Sequence, residues 1–209
     1  MKKINTENRL VALFTNNEDD VYCFRKELIE AIIADGYSML ISCPYGEKFE
    51  LMKDIEYIYD NPQIDRRGTN VSADIKLFFH YFKLLKKHRP AVVLTYTAKP
   101  NVYCGLAAYI LGIPVISNVT GFGSVLKKQG ISQKFIMWLF RFAFRRAECI
   151  MFQNETNMKT ALANGMVKGT YQLIPGSGVN TERFPAQLYP EGGNGITGEK
   201  IVFNYIGRI

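Results

Sequence analysis

Short runs of β-branched and other apolar residues alternate along the chain with longer segments in which apolar residues recur every three or four positions. The first pattern is typical of strands buried on both faces of a sheet, and the second of helices that bury one side. Seven stretches have the strand pattern: RLVALFTNN, SMLISCP, EYIY, AVVLTYT, VISNVTG, CIMFQN and YQLIPGSGV. Their alternation with helical segments predicts a doubly wound, mostly parallel, Rossmann-like α/β sheet with six or seven strands.

The helical segments have recognisable ends. We predict one helix through DDVYCFRKELIEAIIADGY, capped by Asp19 or Asp20 and stopped at Gly36. Five apolar side chains would face the sheet from this helix: Phe24, Leu28, Ile29, Ile32 and Ile33. Four further helices are predicted in IKLFFHYFKLLKKHRP, KPNVYCGLAAYILGIP, residues 132–146 and ETNMKTALANG. Proline or glycine follows three of them, which is the expected way for a helix to stop.

The last part of the chain has a different composition. Residues 189–200, YPEGGNGITGEK, are rich in glycine and turn formers, as in a linker or surface loop. The apolar run IVFNYIG that follows would need a new sheet. We therefore predict a domain over residues 1–185, a linker over 186–200 and the first strand of a second domain over 201–209.

Bulk composition is that of an ordinary globular protein, with 47% hydrophobic and 22% charged residues among 209. Its four cysteines form no CxxC pair and each lies in an apolar stretch, which favours buried free thiols in a reducing compartment over disulfides or a zinc site. No apolar N-terminal segment resembles a signal peptide, and no run approaches the roughly 20 residues that span a bilayer. We expect a cytoplasmic protein without a metal site. His80 and His88 lack a ligand or general-base pattern and are interpreted as structural.

The formal charge of +7 indicates anionic partners, such as phosphates, nucleotides, acidic lipid or nucleic acid, or simply solubility. Residues 125–148 carry six basic residues and one acid, interleaved with tryptophan and phenylalanine. This pattern favours a surface that meets anionic lipid over a core helix with a basic outer side. The predicted membrane-facing residues are Lys127, Lys128, Lys134, Trp138 and Arg141.

Ligands of open parallel sheets bind beyond the carboxyl ends of the strands, so the loops at those ends are the candidate sites. The chain has no GxGxxG, Walker or GxSxG pattern. Glycines after a strand allow close backbone approach, and a lysine at a helix start or paired arginines suit a phosphate. The candidate ligand-binding residues are Arg66, Arg67, Asn70, Lys99, Asn101, Thr120, Gly121 and Gly123. An exposed lysine, a plain turn and a solvated loop remain the alternative interpretations of these stretches.

Taken in order, several of these stretches resemble the N-terminal half of retaining GT-B glycosyltransferases of family 4. Within that family, the chain most resembles the bacterial enzymes that extend lipid-linked sugars for capsule, O-antigen or glycoprotein oligosaccharides. The resemblance is carried by FRKELIEAIIADGY, IDRRGTN, LTYTAKPNVYCGLAA, NVTGFGS, FQNETN, IPGSGVNTERF and FNYIGRI. Together they run across nearly the whole chain, and their order and spacing are more specific than any one of them.

The resemblance implies a domain that binds the acceptor, a lipid-linked saccharide, opposite a second domain that binds a UDP-sugar. It places Gly207 and Arg208 near the donor phosphates and requires no metal or cofactor besides the nucleotide sugar. Thr120 stands about where many relatives have a histidine, and no catalytic residue is assigned. The family's partner lysine and E-x7-E pair would lie downstream, so these 209 residues alone are expected to be inactive.

The protein would act at the inner face of the cytoplasmic membrane, in the synthesis of surface polysaccharide or another glycan. It would self-associate through an apolar surface left open by the absent domain or through residues 201–205. A non-enzymatic Rossmann-like binding or regulatory module is the alternative function, whereas nucleic-acid binding rests on charge alone because no recognisable module supports it.

Overall fold

A computed structural model describes residues 9–65, 70–122, 131–145, 147–178 and 180–182, with backbone only at 131–133. The chain divides into two compact units, residues 1–178 and 179–209. All strands and helices given below belong to the first unit. In the second unit, the Glu182 N–H donates to Asn180 Oδ1 at 2.9 Å.

Several predicted features lie outside the described residues. They are Arg66, Arg67, Gly123, Lys127, Lys128, Gly207, Arg208 and the linker at 186–200. The domain boundary near residue 185 stays a prediction.

The described residues form seven strands in one parallel sheet. Their bounds are β1 Leu10–Phe14, β2 Ser38–Ser42, β3 Ile58–Asp60, β4 Val92–Tyr96, β5 Val115–Val119, β6 Ala147–Phe152 and β7 Tyr171–Leu173. The spatial order is β3-β2-β1-β4-β5-β6-β7, so the chain starts near the middle, builds one side, and then crosses over to build the other. This confirms the predicted doubly wound α/β fold.

Six α-helices and two short irregular helices connect these strands. The α-helices are α1 Glu18–Phe24, α2 Lys26–Ala34, α3 Val71–His88, α4 Gly105–Leu111, α5 Ile131–Phe144 and α6 Glu155–Ala163. A 3₁₀-helix spans Glu47–Met52, and a π-helical turn at Pro100–Cys104 leads directly into α4. Each of the five predicted helical segments is present, four of them close to their predicted bounds.

The prediction of one continuous helix after β1 is wrong. Arg25, at φ −131°, separates α1 from α2, and the N-cap is Asn17, whose side chain accepts from the Asp19 N–H. The break also changes which side chains face the sheet. Ile29 is fully buried, but Phe24 and Leu28 of the predicted buried stripe are 45% and 40% exposed.

Side chains alternate across the sheet and define two helical layers. Ala12 and Phe14 of β1 pack in one core cluster with α3 and α4. Val11 and Leu13 pack on the opposite side with α1, α2 and the 3₁₀-helix. This alternation is the period-2 geometry of a strand, and it explains why the strand sequences are apolar throughout rather than alternately polar.

Helix α5 lies on the same side of the sheet as α3 and α4. Helix α4 contacts both α3 and α5, and the π-helical turn packs on α5. A Cβ on Gly105 would lie only 3.2 Å from Ala143 Cβ, so the absence of a side chain at Gly105 permits the close approach of α4 and α5.

Candidate functional site

The sheet changes its direction of winding between β1 and β4. From β1 the chain continues to β2 on one side, and from β4 it continues to β5 on the other side. In open α/β sheets, this switch point opens a crevice at the carboxyl ends of the two strands, where ligands bind. Thr15 directly follows β1 and Tyr96 ends β4, and both side chains are buried.

A buried arginine lies beside this crevice. The Arg25 guanidinium carbon is 4.1 Å from the centroid of the Tyr96 ring, and Arg25 Nη1 donates to the Phe24 carbonyl at 2.8 Å. Burial lowers the pKa of Arg25, and Tyr96 and Asp20 partly offset this. Thr15 Oγ1 in turn donates to Asp20 Oδ2 at 2.9 Å. The helix break at Arg25 therefore brings a cation and a carboxylate together at the switch point.

This cluster was not predicted from the sequence. The polar stretch after β1 was interpreted as a helix cap, and Arg25 lay inside a predicted continuous helix. A signal was nevertheless present, because Arg25 interrupts an otherwise regular helical pattern shortly after the end of a strand. Within the described residues, Arg25 Nε is buried without a hydrogen-bond partner.

The loop after β4 contains a strained residue. Thr97 has φ +67°, a left-handed conformation that is unusual for a β-branched side chain and costs on the order of 1–2 kcal/mol. Its hydroxyl donates to the Tyr96 carbonyl. Strain of this kind concentrates at functional sites. Thr97 precedes the helical segment that carries two of the predicted ligand residues.

Lys99 has a partner that the sequence did not indicate. Its Nζ lies 2.6 Å from Asp74 Oδ1, and the Tyr103 hydroxyl donates to Asp74 Oδ2 at 2.9 Å. Asp74 is in the first turn of α3. The ammonium group is thus held at the start of the π-helical turn rather than free in solvent. Contact of Lys99 with a ligand stays a prediction.

Asn70 is the N-cap of α3. Its Oδ1 accepts from the backbone N–H groups of Ser72 and Ala73 at 3.0 and 3.3 Å. This is the usual role of asparagine at a helix start. The structure therefore assigns a structural role to a residue that was also predicted to bind a ligand.

Asn101 links the π-helical turn to β5. Its Nδ2 donates to the Asn118 carbonyl at 3.0 Å, and its side chain is almost fully buried. Within the described residues, the Oδ1 atoms of Asn101 and Asn118 are buried without hydrogen-bond partners. Thr120, which is exposed, and Gly121 follow directly after β5. The loops after β4 and β5 thus lie together at the carboxyl edge, as predicted from the parallel sheet.

A second polar cluster lies beyond β2 and β3. Asp60 accepts a hydrogen bond from Ser42 Oγ at 2.6 Å, and His80 Nε2 lies 2.9 Å from Asp60 Oδ2. The hydrogen bond with Asp60 raises the pKa of His80, although burial opposes the shift. His80 therefore has a carboxylate partner that the sequence did not reveal, and the pair ties the edge strand β3 to α3.

A groove of about 440 Å³ lies at the opposite edge of the sheet, next to the amino ends of β5, β6 and β7. Its lining includes Pro114, Ala147 and Thr170, which start or precede these strands. Parallel sheets bind ligands at the carboxyl edge. We therefore place the candidate site at the switch point and not in this groove.

Helix α5 has two distinct sides. Phe140, Ala143 and Phe144 are buried against the sheet. Lys134, Trp138 and Arg141 of the predicted membrane-facing set are exposed, and the Trp138 ring contacts Phe135 and Phe142 with centroids 6.1 and 4.5 Å apart. One side of α5 therefore packs in the core and the other presents aromatic and basic groups, and contact of that outer side with a membrane stays a prediction.

All four cysteines are free; Cys43 and Cys104 are buried, whereas Cys23 and Cys149 are half-buried. Burial raises the pKa of the Cys104 thiol well above its ordinary value. Across the described ranges, no three His, Cys, Asp or Glu side chains are grouped as metal ligands. None of the described helices is both long and apolar enough to cross a membrane.

The family assignment comes from a direct match. The model of the family described as "Glycosyl transferase 4-like" matches residues 11–154, which is more than half of the chain. The chain belongs to this family. The matched segment runs from β1 to the loop after β6 and so contains the switch point, the Lys99 loop and the loop after β5.

One curated relative is named N,N'-diacetylbacillosaminyl-diphospho-undecaprenol alpha-1,3-N-acetylgalactosaminyltransferase, from Campylobacter jejuni subsp. jejuni serotype O:2. It is 24% identical over 169 residues, which cover 78% of this chain and 45% of the relative. The chain thus matches less than half the length of that protein.

Solved structures share the fold. A glycosyltransferase from Rickettsia africae matches with a TM-score of 0.62 and 12% identity, over 86% of this chain and 46% of that one. HepE of Anabaena, in complex with UDP and glucose, matches with a TM-score of 0.55 and 13% identity, over 87% of this chain and 50% of the HepE chain. These similarities support the GT-B resemblance at the level of the fold.

Proposed function

We propose that this chain is the acceptor-side half of a retaining glycosyltransferase that transfers a sugar from a UDP-sugar to a lipid-linked saccharide. The observation that carries the proposal is the similarity, over most of the chain, to a relative whose name specifies an undecaprenyl-diphosphate-linked acceptor. The product would serve the synthesis of a surface polysaccharide or another glycan.

The polar groups at the carboxyl edge support acceptor binding. Lys99 and Arg25 are cations on either side of the switch point, one paired with a carboxylate and one stacked on an aromatic ring. Diphosphate-linked sugars present both anionic oxygens and hydroxyl groups, which suit such cations and the nearby side-chain amides. Arg66, Arg67, Thr120, Gly121 and Gly123 remain candidate acceptor contacts.

The class of donor substrate is inferred from structural similarity. HepE shares this fold and binds UDP, which supports a UDP-sugar donor. Gly207 and Arg208 are the proposed contacts with the donor phosphates. A guanidinium at that position would stabilise the charge that develops on the departing diphosphate, which is a common electrostatic strategy in such transfers.

A lipid-linked acceptor is presented at a membrane surface. The exposed side of α5 carries Lys134, Trp138 and Arg141, a combination of an interfacial aromatic ring with basic groups. We propose that this side faces the anionic inner leaflet, together with Lys127 and Lys128. Peripheral binding of this kind would bring the acceptor diphosphate near the carboxyl edge.

A transferase assay tests the proposal. The complete product of the gene is incubated with a panel of UDP-sugars and a water-soluble, short-chain polyprenyl-diphosphate saccharide. We expect one labelled sugar to appear on the acceptor, with the anomeric configuration of the donor retained. Acceptor binding without transfer from any UDP-sugar would instead support the non-enzymatic binding module.

Replacing Lys99 by alanine tests its role in acceptor binding. We expect the dissociation constant for the short-chain acceptor to rise roughly ten- to a hundredfold, because a charge-assisted phosphate contact contributes roughly 1.5–3 kcal/mol. Isothermal titration of the complete gene product measures this change. Lys99→Arg should restore most of the affinity, and Lys159→Ala, which removes an exposed lysine of α6, is the control. Unchanged affinity in Lys99→Ala would rule out the contact.

A further inference from the structure

Helices α3, α4 and α5 form one continuous layer on one side of the sheet. Helix α4 packs between the other two, and the buried side chains of α3 and α4 share a core cluster. The outward sides of all three helices therefore face the same way. We call residues 71–89, 98–111 and 131–145 the basic layer, and residues 18–57 on the opposite side the acidic layer.

The two layers carry opposite charge. The basic layer has nine Lys or Arg residues and one acid, a formal charge of +8, whereas the acidic layer has ten Asp or Glu and four Lys or Arg, a formal charge of −6. The single acid of the basic layer, Asp74, is paired with Lys99. The other eight basic side chains are all exposed: Lys76, Lys83, Lys86, Lys87, Arg89, Lys134, Arg141 and Arg145.

Large apolar side chains protrude between these charges. Six of them are between 48% and 68% exposed: Val71, Ile75, Phe79, Ile110, Phe135 and Trp138. They come from all three helices. Val71, Ile75 and Phe79 repeat every four residues and so form one line along the outer side of α3.

Helix α3 also carries a shallow groove of about 410 Å³. Ile75 and Phe79 line it together with Lys76, His80 and Lys83. An apolar lining with ammonium groups at its rim matches a phospholipid, whose phosphate can meet the lysines while its glycerol and first methylenes lie on the apolar side chains.

We infer that the whole basic layer, and not α5 alone, is a docking surface for an anionic lipid bilayer, with Phe79 of α3 inserting into the interface as Trp138 of α5 does. The inference rests on the proposed function only in that a lipid-linked acceptor would be met at such a surface. Two separated helices in contact with one bilayer would fix the orientation of the domain, whereas contact through α5 alone would leave it free to tilt about that helix.

The charge difference selects this layer over the opposite one. The acidic layer also exposes apolar side chains, including Phe24, Leu28 and Leu51. Apolar exposure by itself therefore does not distinguish the two sides. An anionic bilayer attracts the layer at +8 and repels the layer at −6, so electrostatics decides the orientation. The apolar groups among the basic ones also favour a bilayer over a nucleic acid.

The chain contains a single tryptophan, Trp138, which permits a direct test of insertion. Phe79→Trp and, as a matched control, Leu51→Trp are each made in a Trp138→Phe background of the full chain. Fluorescence is then measured on vesicles of phosphatidylglycerol with brominated phosphatidylethanolamine. We expect bromine to quench the fluorescence of Phe79→Trp about as strongly as that of the native Trp138. The fluorescence of Leu51→Trp should be the same with vesicles as without them.

Charge is tested separately by vesicle sedimentation. Neutralising Lys76 and Lys83 together by glutamine should weaken partitioning roughly thirtyfold, because each surface lysine contributes about fivefold on anionic membranes. Lys26→Gln with Lys53→Gln in the acidic layer is the matched control and should leave it unchanged or slightly stronger. Partitioning of the native chain should also fall as salt is raised.

The outcomes separate this inference from the proposed function. Quenching of native Trp138 without quenching of Phe79→Trp would overturn the role of α3 and leave α5 as the only contact. Preference of the chain for duplex DNA over vesicles would overturn the docking surface altogether. Neither result affects transfer to the water-soluble acceptor, which tests the proposed function without a membrane.

Discussion

Replacing Tyr81 by alanine is expected to lower the free energy of unfolding by about 4 kcal/mol, the typical cost of truncating a large buried aromatic side chain. Tyr81 is fully buried on the inner side of α3, and its ring meets Phe14 of β1 edge-to-face with centroids 5.0 Å apart. The change would leave a cavity between α3 and β1. Urea denaturation followed by circular dichroism measures the loss.

Tyr81→Phe separates the ring from its hydroxyl group. Within the described residues, the Tyr81 hydroxyl is buried without a hydrogen-bond partner. An unpaired buried hydroxyl costs roughly 1–3 kcal/mol, so its removal should leave stability unchanged or raise it. A loss of more than about 1 kcal/mol in Tyr81→Phe would show that the hydroxyl is paired after all.

The second large effect is expected at Asp74. Asp74→Ala should cost about 3 kcal/mol, because breaking a mostly buried ion pair leaves a charge without compensation. The side chains of Lys99 and Asp74 are only 15% and 17% exposed, and their charged atoms are 2.6 Å apart. The hydrogen bond from Tyr103 would be lost as well. The free energy of unfolding, again from urea denaturation, is the measured quantity.

An exposed ion pair of equal length provides the control. Lys159 and Glu155 on α6 are also 2.6 Å apart, but their side chains are 71% and 62% exposed. Exposed pairs contribute about 0–1 kcal/mol, so Glu155→Ala should have little effect. Similar losses in Asp74→Ala and Glu155→Ala would contradict the view that burial makes the Lys99–Asp74 pair important.

The sheet could be predicted from sequence because its signal is local. Stretches such as Val92–Tyr96 and Val115–Val119 are mostly apolar runs, and such a run is the pattern expected of a strand buried on both faces of a sheet. The prediction of one continuous helix after β1 was wrong because the cause of the break is not local. Its apolar spacing suits one helix, but Arg25 is drawn to the Tyr96 ring, which is 71 positions away in the chain.

The candidate site could be predicted only in part. The loops after β4 and β5 were found, because parallel strands place their carboxyl ends at one edge. Their contacts could not be found, since the pairs Lys99–Asp74 and His80–Asp60 join residues 25 and 20 positions apart on different elements. Nothing in the local pattern around Asp74 distinguishes it from any acidic residue in the first turn of a helix.

Three features follow from the spacing of residues within single elements: the alternation of strands and helices, the parallel sheet, and the basic and aromatic character of α5. Two others are visible only in the folded chain: α3, α4 and α5 form one layer with a net positive charge, and Arg25 reaches the switch point. Those properties depend on which elements become neighbours, and burial in a shared core, not local spacing, brings them together.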